Sequence, residues 1–336
     1  MPNLRWDLAL PQGANLELGG VAAEEGWRRM LTAAEEAERL GYDSVWALDR
    51  TETLPRREPH PVFDGWTTLA AVSQRTQRVG LGHLGVGAPV RDAAELAKRA
   101  ACLDVMSGGR MTLALEADGY PPEHEAHGRP VPDPTARRAG LVETVTAVRR
   151  LWTEPQVSTD GPHVRLDRAF GFPQPLAARP PVHVFDDDPG APSSVLASVD
   201  PAAIDGVIWH AAPEQVRAGT DELLRRCTET GADPDRIERT VLLECRIFDT
   251  VDERDTWLAT PYVVIFWSEH PDLYMRRNVA GTVAAARESL QRYVDAGATR
   301  FLVWFRDYPE LTSVRRLMTE VVPGVTGPRE LVAEVA

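Results

Sequence analysis

The stretch Val79–Tyr120, VGLGHLGVGAPVRDAAELAKRAACLDVMSGGRMTLALEADGY, constrains the fold more than any other part of this chain. Val79 to Val86 is a short apolar run, and Asp92 is placed to cap a helix whose Ala94, Ala97, Ala101 and Leu103 to Val105 face a core. Ser107-Gly108-Gly109 ends that helix before a second apolar run, Met111 to Leu115. Strand, helix and strand in this order require parallel pairing and a right-handed crossover.

The same alternation continues on both sides. Strands are expected at Leu4–Leu10, Ser44–Leu48, Val182–Phe185, Ala203–Trp209, Arg239–Phe248 and Phe301–Phe305. Helices are expected at Glu24–Leu40, Asp64–Thr76, Thr135–Trp152, Pro213–Gly231, Val283–Gly297 and Leu311–Val321. Thr51–Phe63 and Pro121–Pro134 read as proline-rich loops, and Val157–Phe172 as a hairpin excursion turning at Asp160-Gly161. Around eight strands alternating with helices form the pattern of an α/β (β/α)8 TIM-type barrel, with an insertion near 154–180 and one domain over 1–336.

Composition narrows the function. A net charge of −13 argues against nucleic acid or an anionic membrane as partner. The three cysteines, Cys102, Cys227 and Cys245, have neither disulfide nor metal spacing; no secretory leader is expected, and there is no apolar run of about 18 residues. A cytoplasmic protein acting on a small molecule is expected. Glu123, His124, Glu125 and His127 suggest a metal, but the flanking prolines deny them a helix to fix their geometry, so no metal site is assigned and the segment reads as a solvated lid loop. There is no nucleophile elbow, Walker sequence or triad spacing.

LAKRAACLDVMSGGRMTLAL, AEEAERLGYDSVWALDR, AAIDGVIW and the closing VAGT through ATRFLVWF together resemble the bacterial-luciferase-like superfamily. The resemblance spans Glu36 to about Pro323. It implies a luciferase-like barrel, usually dimeric, so a homodimer is expected. It also implies reduction or monooxygenation of a small hydrophobic or aromatic metabolite with reduced FMN or the deazaflavin coenzyme F420. In that family the second strand ends in Asp-His, where this chain has Asp49-Arg50. The family's glycine-rich LGxGxG run against the cofactor is here Leu113 to Tyr120, with Glu116 and Asp118 among it. The family's Gly-Gly-Ser-Gly turn is here Asp186-Asp187-Asp188-Pro189-Gly190. Three carboxylates there would repel a cofactor phosphate by about 1 to 4 kcal/mol per close pair, and proline removes an N–H donor. Otherwise the aspartates face solvent, Asp188 caps a helix, and Arg50 or Arg91 holds the phosphate.

The candidate catalytic residues are Glu116, Asp118, His210, Asp49 and Arg50, all at expected C-terminal strand ends, where barrel enzymes place their chemistry. Crowding among Glu116, Asp118 and Asp186–Asp188 is expected to raise a carboxyl pKa toward neutrality, suited to general acid or base work. Cofactor-facing candidates are His83, Gly119, Tyr120, Asp186, Asp187, Asp188 and Gly190. Trp46, Trp209 and Trp304 are candidates to wall a substrate pocket, the plain alternative being core. Two other functions stay open: a cofactor-independent barrel enzyme running an elimination, cyclisation or isomerisation, and a catalytically silent partner subunit.

Overall fold

A computed structural model describes residues 4–117, 119–177, 179–260, 263 and 271–327. Eight parallel strands close on themselves: β1 (Arg5–Ala9), β2 (Ser44–Leu48), β3 (Gly80–Gly87), β4 (Met111–Glu116), β7 (Val182–Phe185), β8 (Gly206–Trp209), β9 (Glu238–Ile247) and β11 (Arg300–Phe305). The β8–β9 and β1–β11 pairings complete the ring. β10 (Val279–Gly281) lies alongside the far end of β9, and β5 (Val157–Asp160) and β6 (Arg165–Ala169) form the antiparallel hairpin outside the barrel. The structure thus has the (β/α)8 architecture.

Alternation along each strand sorts side chains into two layers. Val45, Ala47, Leu81, Leu113, Leu115, Val207 and Val303 pack outward under helices α1 (Ala23–Leu40), α2 (Gly65–Arg75), α3 (Ala93–Ser107), α5 (Pro134–Thr153) and α6 (Pro213–Thr230). Ala9, Trp46, Leu48, Leu84, Ala114, Ile208, Leu302 and Trp304 fill the interior. Trp46 fits there because residue 82 is glycine: a Cβ on Gly82 would fall 2.0 Å from the indole Cδ2.

Below this layer a polar plug closes the N-terminal end. Arg300 reaches Asp7 (Nη2–Oδ1 3.0 Å), Ser44 (2.9 Å) and Glu238, tying β11 to β1, β2 and β9. His183 stands beside it, 3.4 Å from Glu238, and burial pushes its imidazole down to about 4.

The caps at Asp64 and Asp92 are present, each carboxylate accepting a backbone N–H at 2.8 Å. Val105 is exposed rather than core-facing, because the apolar stripe of α3 ends at Leu103. Pro121–Ala126 is a helix, α4: its two prolines occupy the first turn, where no N–H is needed, and so start a helix rather than forbid one. Glu123 and His124 on it are buried, not solvated.

Candidate active site at the barrel mouth

The C-terminal strand ends open on a cavity of about 410 Å3. Apolar walls come from Leu48 at the end of β2, Leu84 on β3, Phe185 on β7, Leu242 on β9 and Trp304 on β11. The loop between β2 and α2 adds Leu54 and Pro55. Polar groups stand among them: Arg50, Glu116, Tyr120, Asp187, His210, Glu244 and Arg306.

Glu116 is the last residue of β4 and points inward, like Thr112 and Ala114 before it. Its carboxyl is buried, with Arg50 Nη1 3.3 Å from Oε1. Burial pushes its pKa up to about 7; the Arg50 cation opposes this, and Asp187 and Asp49 add to it. The expected rise toward neutrality is therefore present, but loss of water outweighs crowding as its cause. The carboxyl has room because β3 bulges between His83 and Val86, and Gly85 there takes a φ of +71°. A Cβ at that position would lie 3.3 Å from both carboxyl oxygens.

Arg50 also lies over the Tyr120 ring, 6.0 Å from its centroid, and its Nε is buried with no acceptor. Asp49 is committed to Arg91 in a two-pronged ion pair, Oδ2 to Nε 3.0 Å and Oδ1 to Nη2 2.9 Å. Glu123 accepts the backbone N–H groups of Thr51 and Glu52 at 3.2 and 3.3 Å, fastening the loop to α4. Gly119 sits against His124, whose ring burial holds below the ordinary imidazole value.

Across the cavity His210 follows β8. Burial lowers its pKa, the Glu244 charge opposes this, and Asn278 is its hydrogen-bond partner. Glu244 pairs with Arg306, and its N–H donates to Asn278 Oδ1 at 2.8 Å. Arg306 lies over Trp304 at 5.1 Å.

The structure separates residues that the sequence grouped. Asp49, Glu116, Asp186 and His210 all lie at the C-terminal end, but of the three consecutive aspartates only Asp187 lines the cavity. Asp186 is turned away from the cavity toward the helix layer, accepting from Ser194 Oγ (2.9 Å), Val195 N (3.0 Å) and Trp209 Nε1 (3.1 Å). Asp188 is exposed and takes the Ser193 hydroxyl at 2.5 Å. Gly190 packs on α6, where a Cβ would come 2.6 Å from that of Ala218. Among the tryptophans Trp304 walls the cavity; Trp46 lies deeper in the barrel, and Trp209 faces the helices. His83 also faces outward, stacked on Trp66 with centroids 4.2 Å apart and pushed down to about 4 by burial. Asp118 is outside the described residues. Among the described residues no group of His, Cys, Asp and Glu has the arrangement of a metal site. Sequence reading missed Glu244 and Arg306. Both follow from strand alternation: with Leu242 and Trp304 inward, the residues two further along face the same mouth.

Residues 12–303 match the sequence profile of the family described as luciferase-like monooxygenase. The chain belongs to the luciferase-like monooxygenase family. Among luciferase-like relatives, an F420-dependent glucose-6-phosphate dehydrogenase of Intrasporangium calvum is 28% identical, the match covering 93% of this chain and 99% of the relative. The oxygenase component of a flavin-dependent trigonelline monooxygenase of Acinetobacter baylyi is 23% identical over 88% of each chain. The fold matches that of an F420-dependent secondary alcohol dehydrogenase in complex with an F420-acetone adduct at a TM-score of 0.79, with 21% identity, covering 96% of this chain and 99% of that one. No helix among the described residues is long and apolar enough to cross a membrane.

Proposed function

We propose that this chain is a luciferase-like oxidoreductase that reduces or oxygenates a small, largely apolar metabolite with reduced coenzyme F420 or FMN seated in the mouth cavity. The observation that carries this reading is a cavity of about 410 Å3, walled by flat and branched apolar side chains, with one proton-holding carboxyl, Glu116, set into its wall. Such a volume is in the range of roughly 300–1,000 Å3 usual for small-molecule sites. The lining fits a flat ring system with polar edges: Leu48, Leu84, Phe185 and Trp304 offer apolar faces, and the buried Nε of Arg50 lacks an acceptor.

When bound, the reduced ring supplies a hydride or activates oxygen. Leu54 and Pro55 help exclude water from the cavity, and the fastening of their loop by Glu123 holds them in place. Arg50, fixed between Glu116 and the Tyr120 ring, directs N–H groups at an edge oxygen of the bound molecule. Glu116, carrying a proton near neutral pH, gives it to a substrate oxygen as negative charge develops there, and His210 stands across the cavity to take or return one.

A second reading has one observation in its favour. The cavity cations Arg50 and Arg306 are each paired with a carboxylate, Glu116 and Glu244, which leaves a cofactor phosphate no uncommitted arginine among the described residues of the lining. On that reading Glu116 and His210 run acid/base chemistry unaided. Titrating the purified protein with FMN and with F420, following quenching of ring fluorescence, decides between them. Micromolar binding of either ring is expected; a folded sample that quenches neither overturns the oxidoreductase reading.

A further inference from the structure

Beside the main cavity, and meeting it at Asn15 and Arg306, lies a second one of about 220 Å3 that also touches Glu17, Arg246, Trp257 and Tyr308. Arg246 lies two residues beyond Glu244 on β9. Its guanidinium carbon is 5.3 Å from the ring centroids of both Phe248 and Trp257, and its Nη1 donates to the Arg306 carbonyl at 3.2 Å. These contacts fix the plane of the guanidinium, whose charge is also felt at the Asp307 carboxyl, where it opposes the rise that burial causes. Arg50, Arg91 and Arg306 each face a carboxylate, but among the described residues Arg246 has no carboxylate at ion-pair distance.

A fixed, partly desolvated guanidinium facing a cavity is a receptor for an oxyanion, and its planar fork matches a carboxylate edge with two parallel hydrogen bonds. The neighbouring charge limits how negative the guest is. Glu17 reaches into the same cavity, its carboxyl accepting the Gly13 and Asn15 N–H groups at 2.9 and 2.7 Å. Arg306 at the same cavity is already paired with Glu244, so Arg246 is the cation left to face Glu17; this suits a singly charged guest, and a phosphate dianion would meet Glu17 with its second charge. The side cavity shares the walls Asn15 and Arg306 with the cavity where the reacting part of a substrate would lie.

We infer that Arg246 forms a carboxylate subsite, so that the substrate is a small apolar or aromatic monocarboxylate whose acid group sits in the side cavity and whose reacting end lies in the mouth. This rests on the mouth cavity being the substrate site, as argued under Proposed function.

Isothermal titration with benzoate, benzamide and inorganic phosphate tests it on the whole chain. Wild-type protein is expected to bind benzoate, and more tightly than phosphate. Arg246→Met keeps an apolar stem against Trp257 and removes the charge; benzoate binding should weaken about tenfold or more while benzamide binding stays unchanged. Arg246→Lys, which keeps the charge and loses the fork, should recover only part of the affinity and serves alone if the methionine variant does not fold. Benzoate bound equally by wild type and by the folded variants, phosphate bound more tightly than benzoate, or no benzoate binding at all overturns the subsite. Loss of benzoate in Arg246→Met from a protein that binds neither FMN nor F420 upholds the subsite and removes the oxidoreductase reading. Ring binding with benzoate indifferent to residue 246 does the reverse.

Discussion

At the mouth, a pH dependence is expected from Glu116. Its pKa moves from an ordinary 4.5 to about 7 on folding, so in that window the folded chain holds a proton that the unfolded chain has released. Stability contributed by this group is therefore present at low pH and declines as pH rises toward about 7. Glu116→Gln removes the titration: the stability of wild type relative to the variant should fall by on the order of 2 kcal/mol between pH 5 and 8, read from urea midpoints. In turnover, the wild-type rate should drop as pH rises through about 7, and the variant should be about 100-fold slower or more with no such step. The sequence shows a carboxylate at a strand end, but the cause of its shift is desolvation, which depends on distant segments closing over it. Asp186, Asp187 and Asp188 make the same point. They are equivalent as letters, and only the backbone direction after β7 sends one to Ser194 and Trp209, one to the cavity and one to Ser193.

Among the elements, the segment most recognisable in the sequence, Ser107 to Arg110, holds structure together rather than touching the cavity. Arg110 donates to the carbonyls of Ser73, Thr76, Val79 and Ser107 and to the Thr76 hydroxyl, binding the end of α2 and the start of β3 to the turn after α3. Arg110→Met strands several carbonyls at once and should cost about 3 kcal/mol, with Arg110→Lys recovering less than half, measured by chemical denaturation. Periodicity was enough to locate these helices and strands to within a few residues. It failed at α4, where prolines were read as a bar to helix, and at Val105, where an apolar letter sits past the end of the buried stripe.

For the barrel as a whole, the β1–β11 seam joins the first strand to the last. Alternating strands and helices announce eight units, but nothing in the order of residues marks which polar side chains will meet across the seam. Asp7 and Arg300 do so, both buried and 293 residues apart in sequence. Asp7→Asn leaves the Arg300 charge short of its partner and should cost about 3 to 5 kcal/mol; replacing both by apolar residues, Asp7→Leu with Arg300→Met, should cost less than the single change. Equilibrium urea unfolding of the three proteins checks both statements, and a double variant weaker than Asp7→Asn would contradict the second.

The loop between β2 and α2 is fastened through main-chain atoms of Thr51, Glu52 and Leu54 and through the Glu52 carboxylate, 3.1 Å from His127 Nε2. Glu123 grips the N–H groups of Thr51 and Glu52, and the Leu54 N–H donates to the Ala14 carbonyl at 2.7 Å. The two side chains it presents to the cavity, Leu54 and Pro55, take no part in that fastening. Position and chemistry are thus decoupled: mutation at 54 should redraw the shape of the cavity while the loop stays where it is, which makes this the place where a laboratory or a lineage can retune selectivity at small cost to folding.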